Sequence, residues 1–182
     1  MHIRSIAAGL VAATLLGSIA HGADLYVPDE AAPMMEESGF SWDGLYVGIE
    51  AGTLYYTEDN SYALVGVNVG VNYLPSDGFL LGLEGDLQYL TGDNGEYAHF
   101  VVLGRAGVIV MPQLLLYAAV GGGIEYNLNY DTSFGIYEVG VGAELAVSDT
   151  VTVRGQVLGL AYADPSDGDP GVKATLGIEL HF

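Results

Sequence analysis

Apolar and polar residues alternate on a period of two along most of this chain. The pattern is cleanest at the end, where Val172, Ala174, Leu176, Ile178, Leu180 and Phe182 face one way and Lys173, Thr175, Gly177, Glu179 and His181 the other. Such a stretch reads as a strand with one oily and one wet face. Seven earlier stretches read the same way. The first, near Gly44 to Tyr56, sets Leu45, Val47, Ile49, Ala51 and Thr53 against Tyr46, Gly48, Glu50 and Gly52. The second sets Val65, Val67, Val69, Val71 and Tyr73 against Gly66, Asn68, Gly70 and Asn72. The third starts at Phe79 and opposes Leu81, Leu83, Leu87 and Tyr89 to Gly82, Glu84, Asp86 and Gln88. The fourth ends near Met111 with His99, Arg105 and Gly107 on its wet face, and the fifth starts near Leu114 with Tyr117, Gly121, Gly123 and Glu125 there. The sixth presents Glu138, Gly140, Gly142 and Glu144, and the seventh Arg154 and Gln156. No helical period intervenes.

The connections differ at the two ends of these strands. Pro75 to Gly78, Met111 to Gln113 and Ser148 to Thr150 read as tight turns, while Thr57 to Ser61, Thr91 to Glu96 and Ala163 to Gly171 read as looser, acidic loops. Eight antiparallel strands with turns at one rim and loops at the other predict an all-β, up-and-down transmembrane barrel.

The first residues point to the same compartment. Arg4 is followed by an apolar run from Ile6 to Ile19 and then by small residues, the layout of a secretory signal peptide over 1–22. Cleavage is expected after Gly22, with Ala20 as the alternative. Residues 23–41, with Pro28, Pro33 and acids Asp29, Glu30, Glu36 and Glu37, lack alternation and read as a disordered periplasmic leader. The barrel is then 42–182, about 160 mature residues with the leader included, which is one domain by length.

Alternation does not say which face is outside, so a soluble lipocalin-like binder with an apolar cavity competes. Composition favours the membrane barrel. Removal of Arg4 leaves 23 acids against 3 bases, a mature charge of minus 20, and all three bases, Arg105, Arg154 and Lys173, fall on the polar face. A solvated β exterior would carry far more lysine. The acidity also argues against nucleic acid as a partner, and the absence of cysteine excludes disulfides and thiolate metal sites. The lumen is expected to be filled by glycine and by ion pairs among Glu50, Glu84, Asp86, Arg105, Glu125, Glu138, Glu144, Arg154, Lys173 and Glu179. Turn positions suggest that Glu144 meets Arg154 and Glu84 meets Arg105. Aromatic residues gather towards strand ends, and Trp42, Tyr55, Tyr73, Phe79, Tyr89, Tyr97, Tyr130 and Phe182 are the expected interfacial girdle. Tyr56, Tyr62, Tyr126 and Tyr137 cluster there too.

The run Phe40-Ser41-Trp42-Asp43-Gly44-Leu45-Tyr46-Val47-Gly48 resembles the Trp-x-Gly-Phe-Tyr-x-Gly opening of small outer-membrane barrels of the OmpA-like, opacity-protein kind. Gly82-Leu83-Glu84-Gly85-Asp86, Leu103-Gly104-Arg105-Ala106-Gly107, Leu116 to Gly122 and Val141-Gly142-Ala143-Glu144 resemble its third to sixth strands. The resemblance covers about Trp42 to Phe182. It implies outer-membrane lipid and lipopolysaccharide as surroundings, and the barrel-insertion machinery as reader of Phe182. It implies little about function, since the family includes structural, adhesive and weakly pore-forming members. No peptidoglycan-binding domain follows the barrel and no surface loop is long, so neither wall tethering nor a specialised adhesin is expected.

Catalytic parts are sparse. His99 and His181 lie in strands with no serine mid-strand opposite them, so no enzyme and no cofactor are expected. Asp164, Asp167 and Asp169 form a weak candidate for Ca²⁺ or Mg²⁺, with spacing unlike that of an EF-hand, and a solvated acidic loop is the plainer reading. The expected function is structural, in envelope integrity at the outer membrane of a Gram-negative bacterium. The alternatives are a small cation-preferring pore and the soluble binder.

Overall fold

Eight strands close on themselves in the computed structural model, which describes residues 40–56, 61–92 and 95–182. The expected signal peptide, the leader as far as residue 39, and residues 57–60 and 93–94 of two expected loops lie outside the described residues. The strands are β1 (Gly44–Tyr56), β2 (Ser61–Ser76), β3 (Phe79–Gly92), β4 (Gly95–Met111), β5 (Leu114–Asn127), β6 (Thr132–Ala146), β7 (Val151–Tyr162) and β8 (Gly171–His181). Each pairs antiparallel with its sequence neighbours, and β1 pairs with β8 from Tyr46↔His181 to Tyr56↔Gly171. Closure leaves no free sheet edge.

Strand parity decides the two faces. Outward positions are apolar and open: Ile49 is 63% exposed, Val141 62% and Leu176 71%. Among the described residues, Glu96 at the loop rim is the one charged side chain at an outward strand position. The inward positions hold the charge, with Glu84, Arg105, Glu138, Glu144, Arg154, Lys173 and Glu179 all buried. Oil outside and charge inside is the inverse of a soluble barrel, and it removes the cavity that the soluble binder would need.

The lumen also contains apolar filling that the alternation does not reveal. Leu80, Leu115 and Trp42 come from the end that carries the described termini. Leu54, Leu64, Leu90, Ile136 and Leu160 come from the loop end. These positions share the parity of the polar ones, so the polar belt has apolar packing towards both rims.

Three expectations change. Thr91 to Glu96 is mostly strand, because pairing runs to Gly92↔Gly95. Phe40 and Ser41, expected in a disordered leader, are placed, and Phe40 packs edge-on against Trp42 at 4.6 Å and against His181 at 4.8 Å. The girdle is smaller than expected. Trp42 is 3% exposed, inside the barrel mouth, with Nε1 donating to the Pro112 carbonyl at 3.1 Å. Tyr97 also points inward, in phase with His99, and meets the Tyr62 ring edge-on at 5.4 Å. Tyr56 and Tyr62 face inward with it. Tyr55, Tyr73, Phe79, Tyr89, Tyr130, Tyr137 and Phe182 remain on the exposed surface.

Candidate functional site

The polar belt is built from residues two apart on each strand, because that spacing returns a side chain to the same face. β1 supplies Tyr46 and Glu50, β3 supplies Glu84, Asp86 and Gln88, and β4 supplies His99 and Arg105. β5 to β8 add Tyr117, Glu125, Glu138, Glu144, Thr152, Arg154, Gln156, Lys173, Glu179 and His181.

Glu84 is the hub. Its Oε2 accepts from Arg154 Nη1 at 2.5 Å, Arg105 Nη1 at 3.0 Å and the Tyr46 hydroxyl at 2.5 Å. Arg105 also donates from Nη1 to the Tyr46 hydroxyl and from Nη2 to Glu144 Oε2 at 2.7 Å. Its guanidinium lies over the Tyr117 ring, 4.1 Å from the centroid, a cation–π contact in a desolvated setting. Arg154 further meets Glu50 Oε2 at 3.4 Å and Glu179 Oε1 at 3.0 Å. Glu84 and Arg105 are therefore together. They are diagonal neighbours, since Arg105 stands opposite Gly82 in the register. Glu144 does stand opposite Arg154 in the register, but the two side chains do not pair. Arg154 turns across the lumen to β3 and β1, and Glu144 takes Arg105, the Thr152 hydroxyl at 2.8 Å and His181 Nε2 at 3.1 Å. In a barrel this narrow a guanidinium reaches the far wall as readily as the adjacent strand.

Two smaller clusters flank the hub. Lys173 Nζ donates to both Glu138 oxygens at 2.7 Å and to Gln88 Oε1 at 3.0 Å, while Gln88 Nε2 donates to Glu50 Oε1 at 2.6 Å. Nearer the loops, Glu125 accepts from Tyr162 at 2.9 Å and Tyr56 at 3.2 Å and meets His99 Nε2 at 2.7 Å. Asp86, expected in the ion-pair network, is buried with neither carboxylate oxygen hydrogen-bonded. The tyrosines, Gln88, Thr152 and both histidines were missing from the expected network. Their parity was a readable signal, but their types suit many roles.

Tyr46 and Tyr117 each lie over a glycine. A Cβ on Gly70 would overlap the Tyr46 phenol, and one on Gly142 would overlap that of Tyr117. Glycine thus makes room for the two rings that flank Arg105.

Candidate chemistry outside the belt is slight. Asp164 Oδ1 accepts from the Ser166 amide at 2.9 Å and from its hydroxyl at 2.8 Å, which hold this exposed carboxylate below its usual range. Among the described residues no three His, Asp or Glu side chains are grouped to hold a metal ion, the Asp164, Asp167 and Asp169 loop included. A hydroxyl, an imidazole and a carboxylate do meet at Thr152, His181 and Glu144, with Thr152 Oγ1 at 3.3 Å from His181 Nε2. The same Nε2 faces both the hydroxyl and the carboxylate, under the rings of Phe40 and Trp42. An imidazole relaying a proton between two groups needs one nitrogen for each.

No protein-family model matches the chain, and no curated protein matches it. Solved structures do. The chain is similar to Ail, the attachment invasion locus protein of Yersinia pestis, with a TM-score of 0.58 at 12% identity, over 77% of this chain and 99% of that one. It is similar to the N-terminal β-barrel domain of Pseudomonas aeruginosa OprF, with a TM-score of 0.52 at 19% identity, over 75% and 97% of the two chains. It is similar to the outer-membrane enzyme PagL, with a TM-score of 0.52 at 10% identity, over 75% and 99%. Identities this low speak for architecture alone, and the fold is that of the small eight-stranded outer-membrane β-barrels.

Proposed function

We propose that this chain is an integral outer-membrane barrel of a Gram-negative bacterium whose role is structural, in envelope integrity, with no turnover chemistry. One observation carries the reading: the lumen is filled by a connected ion-pair belt with apolar packing at both rims, while the outer wall is open and apolar. Lipid and lipopolysaccharide surround such a wall, and Phe182, 75% exposed at the end of β8, is the residue offered to the insertion machinery. The likeness to PagL supports no catalytic role, because the Thr152, His181 and Glu144 contact is buried beneath Phe40 and Trp42.

A second reading, a small cation-preferring pore, is favoured by the charge of the belt, where seven carboxylates face three permanent cations. Gel mobility of boiled and unboiled protein from membranes, with single-channel recording on the same sample, separates these readings. A mobility shift without conductance is expected. Cation-selective steps would favour the pore, and soluble protein without a shift would overturn both.

A further inference from the structure

The acids of the belt are glutamates, except for Asp86. Among the described residues it is the one buried aspartate, and every other lies exposed at a rim, turn or loop. A glutamate carboxyl stands one methylene further from its strand, which lets it meet a guanidinium or ammonium in mid-lumen. The Asp86 carboxyl stays closer to the wall.

Its surroundings offer no positive partner. Along β3 it stands between the inward Glu84 and Gln88, and in the register it faces Asn68 of β2 and Val101 of β4, a neutral amide and a fully buried hydrocarbon. The charges that bear on it are those of Glu84, Glu50 of β1, Arg154 of β7 and Lys173 of β8. Both cations are committed elsewhere. Arg154 pairs with Glu84, Glu50 and Glu179, and Lys173 holds Glu138 of β6 and Gln88. On β4, Arg105 is taken by Glu84 and Glu144, and His99, which faces Gln88 in the register, meets Glu125 of β5. Asp86 itself is 1% exposed, and neither of its oxygens accepts a hydrogen bond.

An ionised carboxylate with neither donor nor counter-ion in a closed interior costs far more than the same group as a neutral acid, so such a group takes up a proton. We propose that Asp86 holds a proton in the folded barrel at neutral pH, as an uncharged acid, and that the stability of the barrel depends on pH through this residue. No space has to be found for the proton, since it sits on a side chain already in place. It removes one of the negative charges that the three permanent cations leave uncompensated. It also supplies an O–H donor to a wall on which Asn68 Oδ1 and Glu84 Oε1 both lack one. In the unfolded chain Asp86 ionises in the ordinary aspartate range, at about pH 3.9. Above that range the native state binds one proton more than the unfolded state, so stability falls as pH rises.

The test is urea unfolding of the barrel in detergent from mildly acid to alkaline pH, comparing the parent with Asp86→Asn, which keeps the shape and cannot ionise. Other acids and both histidines also titrate, and the comparison isolates Asp86 from them. The parent's unfolding equilibrium constant should rise with pH more steeply than the variant's, by about tenfold per pH unit where one extra proton is held. Glu96→Gln, at the rim, should keep the parent's slope. Carbon-13 labelling of the aspartate carboxyls alone gives an answer even if Asp86→Asn fails to fold. Infrared spectra of the folded parent at neutral pH should show the C=O band of one protonated labelled carboxyl, lost on unfolding, while the exposed aspartates give carboxylate bands only. Equal slopes for parent and Asp86→Asn, or labelled carboxyls that are all ionised in the folded barrel, would overturn the proposal.

Discussion

Arg154 on β7 and Glu84 on β3 are bonded across the lumen, Nη1 to Oε2 at 2.5 Å, although the residue facing Arg154 in the strand register is Glu144. Arg154 therefore links β7 to β3 and, through Glu50 and Glu179, to β1 and β8. Arg105 links β4 to β3 and β6. Two guanidinium groups thus tie together six of the eight strands.

Removing either one strands buried carboxylates. Arg105→Ala and Arg154→Ala should each lower stability by about 3 to 5 kcal/mol. Arg154→Lys should not restore it, since an ammonium cannot serve three carboxylates in the same geometry. Urea unfolding in detergent measures this, and unchanged midpoints would dissolve the ion-pair account.

Space over the two lumen glycines is reserved for phenol rings. Gly70→Val and Gly142→Val should displace Tyr46 and Tyr117 and cost about 1 to 3 kcal/mol as overpacking. Gly85→Val, where a Cβ would meet nothing within 4 Å, should be close to neutral in the same assay. If all three behaved alike, close ring packing would not be the reason for the inward glycines.

The identity of the outer face has its own test. Leu176 is 71% exposed on β8. In a bilayer, Leu176→Arg should cost about 2 to 4 kcal/mol near the midplane. On a water-facing wall the same change would be harmless. Refolding yield and unfolding midpoint in lipid vesicles distinguish the two, and full tolerance of the arginine would rule out a lipid-facing wall there.

Trp42 fastens the chain under the barrel through its bond to Pro112 and its contact with His181. Trp42→Ala should cost about 3 to 5 kcal/mol, as for other buried large-to-small changes. If Trp42 helps to seal the lumen, the variant should show conductance events that the parent lacks. A stable, silent variant would assign the seal to Leu80 and Leu115 instead.

Strand number, strand order and the division into an oily and a charged face were legible in the sequence, because a period of two is a local property of an extended backbone. Tyr97 shows where that reading went astray. Its parity with His99 and Arg105 placed it inside, but its position near a strand end suggested the girdle. Trp42 lies ahead of β1, where no alternation governs it, so only the packing of Phe40, Trp42 and His181 could place it.

The partners within the lumen were another matter. A turn position predicts which residue stands opposite another, as it did for Glu144 and Arg154, but not where a long charged side chain goes. By itself the sequence determined the eight strands, the two faces and the list of charged residues enclosed. Barrel closure alone decided that Arg154 crosses to Glu84, that Glu144 takes Arg105 and His181, and that Asn68 and Glu179 converge over Gly48. These side-chain contacts join residues 37 to 111 positions apart in the chain, and closure is what brings such distant walls within one side chain's reach.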